Sequence, residues 1–156
     1  MLKAALLQDG YKVIVAGISA IEEDIYLNAI DTLDELEQKR VTLVKDRTYD
    51  IVSKASAAIV NSGTATLETA LLNCPQVAVY HLNIGPLLYR LKPLLFKIPY
   101  FTLVNIIAGK EVIKERLAYH FTVTNVANDL TDIINNTDTK AHIQQDYTHL
   151  RKLLEQ

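Results

Sequence analysis

Five short apolar runs, each followed by a stretch of helical character, set the strongest limit on what this chain can fold into. They are YKVIVAG (11–17), VTLVK (41–45), AAIVNSG (57–63), QVAVY (76–80) and YFTLV (100–104). A strand with one wet face alternates apolar and polar residues; a near-continuous apolar run is the pattern of a strand covered on both faces. Strands alternating with helices specify a parallel sheet wrapped by helices on both sides. The expected fold class is α/β: a doubly wound, mostly parallel, Rossmann-like sheet in a single domain over 1–156, with a helical C-terminal tail.

The helices are placed by their punctuation. MLKAALLQD reads as a short amphipathic helix closed by Gly10. Ser19 and Glu22 have capping-box spacing for a helix over 20–39. Thr48 is the expected cap of a short helix, YDIVSKAS, and helix 65–73 is stopped by Asn73 and Pro75. A helix or bent pair covers 85–97, kinked at Pro93, whose ring removes a backbone donor. Thr124 is expected to cap 125–135, and 140–155 forms the tail helix. A doubly wound domain normally opens on a strand in the middle of its sheet. This chain opens on a helix, so either the domain is a variant or its first strand is missing.

Net charge is −2 and there is no run of Lys or Arg, so no nucleic-acid partner is expected. Cys74 is the only cysteine and sits among Leu71, Leu72 and Val77, the setting of a buried structural thiol in a reducing compartment. The longest apolar zone, 84–109, is interrupted by Arg90, Lys92, Lys97 and three prolines, whereas a spanning helix needs roughly 20 predominantly apolar residues. No leader with a cleavage site is visible. A soluble, cytoplasmic protein is expected, with contact to a membrane surface kept open.

The stretch IVNSGTATLE (59–68) carries the chemistry. Open parallel sheets bind ligands beyond the carboxyl ends of their strands. Ser62, Gly63 and Thr64 stand at such an end, just before a helix whose first amides have no intrahelical acceptor. Glycine lets a ligand reach the backbone, and the helix N-terminus favours a phosphate or pyrophosphate. Hydroxyls of Ser62, Thr64 and Thr66 add donors, and Glu68, one turn in, can accept from vicinal ribose hydroxyls. The plainer reading is a turn and cap, with Glu68 gaining about 0.3–1 kcal/mol from the helix dipole. The motif is neither a P-loop nor a dinucleotide fingerprint, and these two readings stand even on chemistry alone.

Two stretches, SGTATLETALLNCPQVAVY (62–80) and FTLVNIIAGKEVIKERL (101–117), resemble segments of the lipid-A-disaccharide synthase family, over about residues 11–135. The first motif is shared with other sugar-nucleotide enzymes; the second, Asn-Ile-Ile-Ala-Gly-Lys-Glu, is much more specific. The resemblance implies a two-domain, GT-B-type inverting glycosyltransferase of Gram-negative bacteria. It transfers diacylglucosamine from UDP to diacylglucosamine 1-phosphate in lipopolysaccharide biosynthesis, without essential metal or cofactor. It implies Ser62, Gly63, Thr64 and Asn105 at the UDP diphosphate, Asn105 lying in a loop after the last strand, and Glu68 on the ribose. Thr66, His81, Gly109, Lys110 and Glu111 are secondary candidates.

On this reading the chain is the UDP-sugar-binding C-terminal part. The catalytic base is then expected in an N-terminal domain not found here, the fragment alone should be inactive, and that domain becomes a partner beside the UDP-sugar lipid substrate. Without a central strand, strands 11–17 and 57–61 either close up against each other or leave edges that invite another chain. The expectation includes a homodimer that exchanges the tail helix, and peripheral contact with the inner membrane.

Plainer readings accompany the remaining candidates. The basic and apolar stretch 84–100 suits a membrane surface, or a core helix whose cations reach outward. His81 follows a strand end on the ligand side, where a satisfied loop histidine is the commoner outcome. His142, Asp146 and His149 have helical spacing for a metal, but a solvated face is expected. Tyr89, Tyr100 and Tyr119 read as packing residues with wet hydroxyls. Two rival functions stay open: an enzyme like UDP-GlcNAc 2-epimerase, and a non-catalytic α/β interaction module.

Overall fold

The structure is a computed structural model and describes residues 1–80, 100–117 and 120–155. In chain order the elements are α1 (Leu2–Leu6), β1 (Val13–Gly17), α2 (Glu23–Asp31), α3 (Glu35–Gln38), β2 (Val41–Lys45), α4 (Thr48–Val52), β3 (Ala58–Val60), α5 (Gly63–Leu71), β4 (Gln76–Tyr80), α6 (Leu103–Ala108), β5 (Lys114–Leu117), α7 (Val123–Asn135) and α8 (Thr137–Leu154). The expected strand-helix alternation and parallel pairing are present. The helix over 85–97, His81, Tyr89, Tyr119 and nearly all of the stretch proposed for a membrane surface lie outside the described residues.

The sheet comes in two pieces. Among the described residues β1 pairs only with β2, in register Val13 with Val41, and β3–β4–β5 form a second parallel sheet with Ala58 beside Gln76 and Val77 beside Lys114. No ladder among the described residues joins β1 to β3, and each has one edge that pairs with none of them. Of the two sequence-based alternatives, the open edges are the one observed.

The core belongs to the second piece. Val77, Ala78 and Val79 of β4 meet Val104, Ile113, Val126, Leu130, Ile133, Ile143, Tyr147 and Leu150, all buried. The tail helix α8 packs on its own chain: Tyr147 is fully buried and its hydroxyl accepts from Gln76 Nε2 at 3.1 Å. The opening helix joins the same body, with Ala4 and Leu6 buried and Gln8 Nε2 donating to the Ala127 carbonyl at 3.0 Å.

Several predicted caps moved. Ser19 does not cap a helix; its amide and hydroxyl both donate to Asp46, and the 20–39 helix is broken, starting at Glu23 and again at Glu35. The capping box is Asp34 with Glu37, a stronger local pair because both reciprocal bonds form. Thr48 is the first residue of α4, after Arg47. Thr122 caps α7 instead of Thr124, and Asn136 caps α8, which starts at Thr137, three residues earlier than the 140 expected.

The run YFTLV is not a strand. Thr102 caps α6 by accepting from the Asn105 amide, so its β-branched and aromatic neighbours enter a helix start. The fifth strand is KERL (114–117), hidden from an apolar-run reading by its three charges. They suit an outer strand of a three-stranded sheet. Lys114 faces water, Glu115 binds the start of α6, and Arg116 forms a two-pronged pair with Asp129 of α7.

Candidate functional site

β3 ends at Val60, and two residues later Ser62 caps α5 in extended conformation, its hydroxyl accepting from the Ala65 amide at 3.4 Å. The amides of Gly63 and Thr64 open the helix and have no intrahelical acceptor. No acidic side chain occupies the first turn. Thr64 is exposed, with no partner for its hydroxyl among the described residues. Thr66 differs: it is fully buried and its hydroxyl donates back to the Gly63 carbonyl, so it shapes the helix and does not line the mouth. Glu68, one turn along, is half-buried and makes no hydrogen bond or ion pair among the described residues.

Gly63 is not required by the backbone. Its φ is not positive, unlike those of Gly10 and Gly109, and among the described residues an added Cβ would meet only the Phe101 carbonyl and the Tyr80 hydroxyl, each at 3.8 Å, an ordinary contact. What glycine provides there is open access to the first amides of a nine-residue helix.

The start of α6 lies beside that mouth, through the Phe101 carbonyl, but an internal carboxylate already sits on the two amides that lead into it. The Glu115 carboxylate accepts from the Phe101 amide at 3.0 Å, the Thr102 amide at 2.9 Å and the Thr102 hydroxyl at 2.8 Å. One helix N-terminus thus carries an internal anion, whereas its neighbour presents bare donors.

Asn105 is completely buried and wholly engaged. Its Oδ1 accepts from the Val112 and Ile113 amides at 2.8 and 3.0 Å, and its Nδ2 donates to the Ile113 carbonyl at 2.9 Å and to Glu115 at 3.0 Å. It sits within α6, ahead of the last strand, where the sequence reading put it in a loop after one. Gly109 ends the same helix in the left-handed region, φ +66°. Beyond it Lys110 pairs with Asp146 of α8 at 2.6 Å, and Glu111 pairs with Lys114. So Ser62, Gly63 and Thr64 converge at the mouth and Glu68 lies along its helix. Asn105 is linked to that neighbourhood only by its hydrogen bond to Glu115, and Gly109, Lys110 and Glu111 stand at the far end of α6. Among the described residues no group of three potential ligands could hold a metal, and Asp146 of the tail-helix trio is taken by Lys110.

Sequence reasoning missed Tyr80 and Glu115. Tyr80 ends β4, the strand next to β3, so its position at a carboxyl end was a readable signal. Its ring lies 6.5 Å from that of Phe101, tilted by 42°. Burial, and then the Glu115 charge, push the Tyr80 phenol above its ordinary range, so it stays a protonated donor. Glu115 lies within the family-like segment 101–117 but beyond its specific Asn-Ile-Ile-Ala-Gly-Lys-Glu run, in a charged stretch that reads as solvated.

A family model described as lipid-A-disaccharide synthetase matches residues 1–156. The chain belongs to this family. It is 36% identical over 124 residues to a lipid-A-disaccharide synthase of Syntrophus aciditrophicus, a match covering 80% of this chain and 32% of that protein. Against the enzyme of the same name from Blochmanniella floridana it is 30% identical over 151 residues, 96% of this chain and 38% of the relative. Against that of Synechocystis sp. it is 34% identical over 125 residues, 79% and 31% respectively. The chain therefore spans about a third of the length of these relatives. An epimerase-like enzyme and a non-catalytic module are not favoured beside this family membership. No helix among the described residues is long and apolar enough to cross a membrane.

Proposed function

We propose that this chain is the part of a lipid-A-disaccharide-forming glycosyltransferase that holds the UDP-sugar donor, acting as one binding domain. The observation that carries the reading is the contrast between two neighbouring helix starts, one neutralised by Glu115 and the other left open behind a glycine the fold does not need. The open one has the donors a diphosphate requires. In this arrangement the Gly63 and Thr64 amides, with the Ser62 and Thr64 hydroxyls, take the diphosphate, and Glu68 takes the ribose hydroxyls. As the anomeric bond breaks, negative charge grows on the departing diphosphate, and fixed amide dipoles stabilise it without reorganising. Asn105 contributes by fixing Glu115 and with it the wall of the mouth. The general base comes from the rest of the full-length enzyme, so the isolated chain binds donor and turns over nothing. The unpaired β1 and β3 edges support association with a further polypeptide segment, which sedimentation across concentrations tests.

Calorimetry with UDP, UMP and UDP-GlcNAc tests the site. UDP binds more tightly than UMP, and Glu68→Ala weakens all three ligands by about tenfold, the value of one hydrogen bond to a charged group. Gly63→Ala leaves the unfolding midpoint unchanged or raised and weakens UDP. No UDP binding to the wild-type chain, or UDP binding unaffected by both changes, overturns the proposal.

A further inference from the structure

The donor site just proposed leaves one adjoining group unused. The Tyr80 hydroxyl is shut off from solvent and has no hydrogen-bond partner among the described residues, although it lies 3.8 Å from where a Gly63 Cβ would stand. A buried donor left unpaired forfeits the bond it made with water, so folds seldom keep one without use. The groups around it offer no remedy. The nearby Phe101 carbonyl is not bonded to it, and the Glu115 carboxylate is spent on Phe101, Thr102 and Asn105. Tyr80 ends β4 beside β3, and its phenol stands next to Gly63, the first residue of α5.

From this geometry we infer that Tyr80 is a donor-site binding residue whose hydroxyl donates to a phosphate oxygen of the nucleoside diphosphate seated on the α5 N-terminus. The inference rests on the donor-site reading above. On donor binding a small rotation of the phenol brings its hydroxyl to a phosphate oxygen that also accepts from the Gly63 and Thr64 amides, which completes its missing bond. The hydroxyl adds a neutral donor, which does not compete with the nucleotide for a countercharge and lets the product leave. A nucleoside without phosphates gains nothing from it.

Tyr80→Phe removes the one oxygen and keeps the ring against Phe101. In calorimetry on the full chain it weakens UDP by about tenfold, as expected for a bond to a charged group, and leaves uridine affinity unchanged. Its unfolding midpoint in urea is equal to or higher than that of the wild type, because an unpartnered hydroxyl has been deleted. Equal UDP affinity in wild type and Tyr80→Phe overturns this inference and leaves the donor site standing. A lower unfolding midpoint also overturns it, by showing that the hydroxyl is bonded within the fold. No UDP binding to the wild type overturns the donor-site reading and this inference together.

Discussion

The two pieces of the sheet are built from similar apolar runs but end in different surroundings. In β4 the first four residues are buried, and Val77 has no exposure at all. In β1 exposure alternates, with Ile14 48% exposed, although YKVIVAG is as apolar as QVAVY. The helices differ in the same way: α2, α3 and α4 bury no residue completely, while α7 buries five and α8 three. Ile18, Ile21, Ile25 and Leu36 add to the uncovered apolar surface around β1 and β2. A continuous apolar run specifies a strand that suits two covered faces, but it does not supply the cover. The β3–β5 half completes its own core; the β1–β2 half presents a surface and an edge still suited to a partner.

The largest effect that would break this comparison is a matched truncation. Ile113→Ala, at a site 2% exposed beside β5, costs about 2–5 kcal/mol in urea unfolding, whereas Ile14→Ala costs under about 1 kcal/mol. Equal losses would mean that the β1 face is covered in solution. Amide exchange sharpens the same point, with β4 amides protected well beyond those of β1.

Next in size is Asn105→Ala. It strands the Val112 and Ile113 amides and loosens Glu115, for a loss of about 2–4 kcal/mol. If Asn105 acts only by holding Glu115 and the turn at 112–113, UDP affinity falls along with stability, and a stabilising osmolyte restores both. A loss of UDP affinity with an unchanged unfolding midpoint would give it direct contact with the ligand.

The halves also respond to opposite ends of the pH scale. Cys74, in the β3–β5 half, has its thiol pushed up by burial from 9.0 to about 11, and burial raises Tyr147 as well. A raised folded pKa gives stability that is complete below the unfolded value and is lost as pH rises through the folded one. Stability therefore declines from pH 9 toward 11 by at most ~3 kcal/mol for the thiol. Cys74→Ala flattens that decline in urea unfolding, and iodoacetamide labels the wild type only as it unfolds. Asp46, in the β1–β2 half, is held below its usual 3.8 by the Ser19 hydroxyl and amide. Its contribution is present above 3.8 and lost as pH falls through the lower folded value, so acid loosens the Ser19–Asp46 link first. Exchange mapped at both extremes reads the two halves separately.

How much of this was legible follows from where the decisive forces are local. The first four strands and their parallel pairing rest on contiguous patterns and lie within the stretches the sequence offered, although the third is trimmed from 57–63 to Ala58–Val60 because Ser62, in the plainer of its two readings, caps a helix that begins at Gly63. The fifth strand does not, because KERL is stabilised by side chains 13 residues distant on either side, Thr102 and Asp129. The same distance explains the site. Ser62, Gly63 and Thr64 are readable as a turn before a helix, but no spacing rule announces that Glu115 fills the neighbouring helix start. Asn105 was found through family resemblance, and only the three-dimensional network shows its hydrogen-bonding capacity turned inward.

The smallest effect concerns the ion pairs, which differ between the halves as the apolar residues do. Lys45 and Glu23 tie β2 to α2 at 3.2 Å with side chains 30% and 55% exposed; Arg116 and Asp129 tie β5 to α7 with 26% and 9%. An exposed pair gains little Coulomb energy, immobilises two long side chains and is screened by salt, so Glu23→Gln costs no more than ~0.5 kcal/mol and nothing measurable in 0.5 M salt. Asp129→Asn costs more, because the change leaves a half-buried guanidinium without its carboxylate, and salt relieves that only slightly. Should Glu23→Gln prove the costlier of the two, the β1–β2 half must be tightly packed in solution, and the division between a finished and an unfinished half would fall with it.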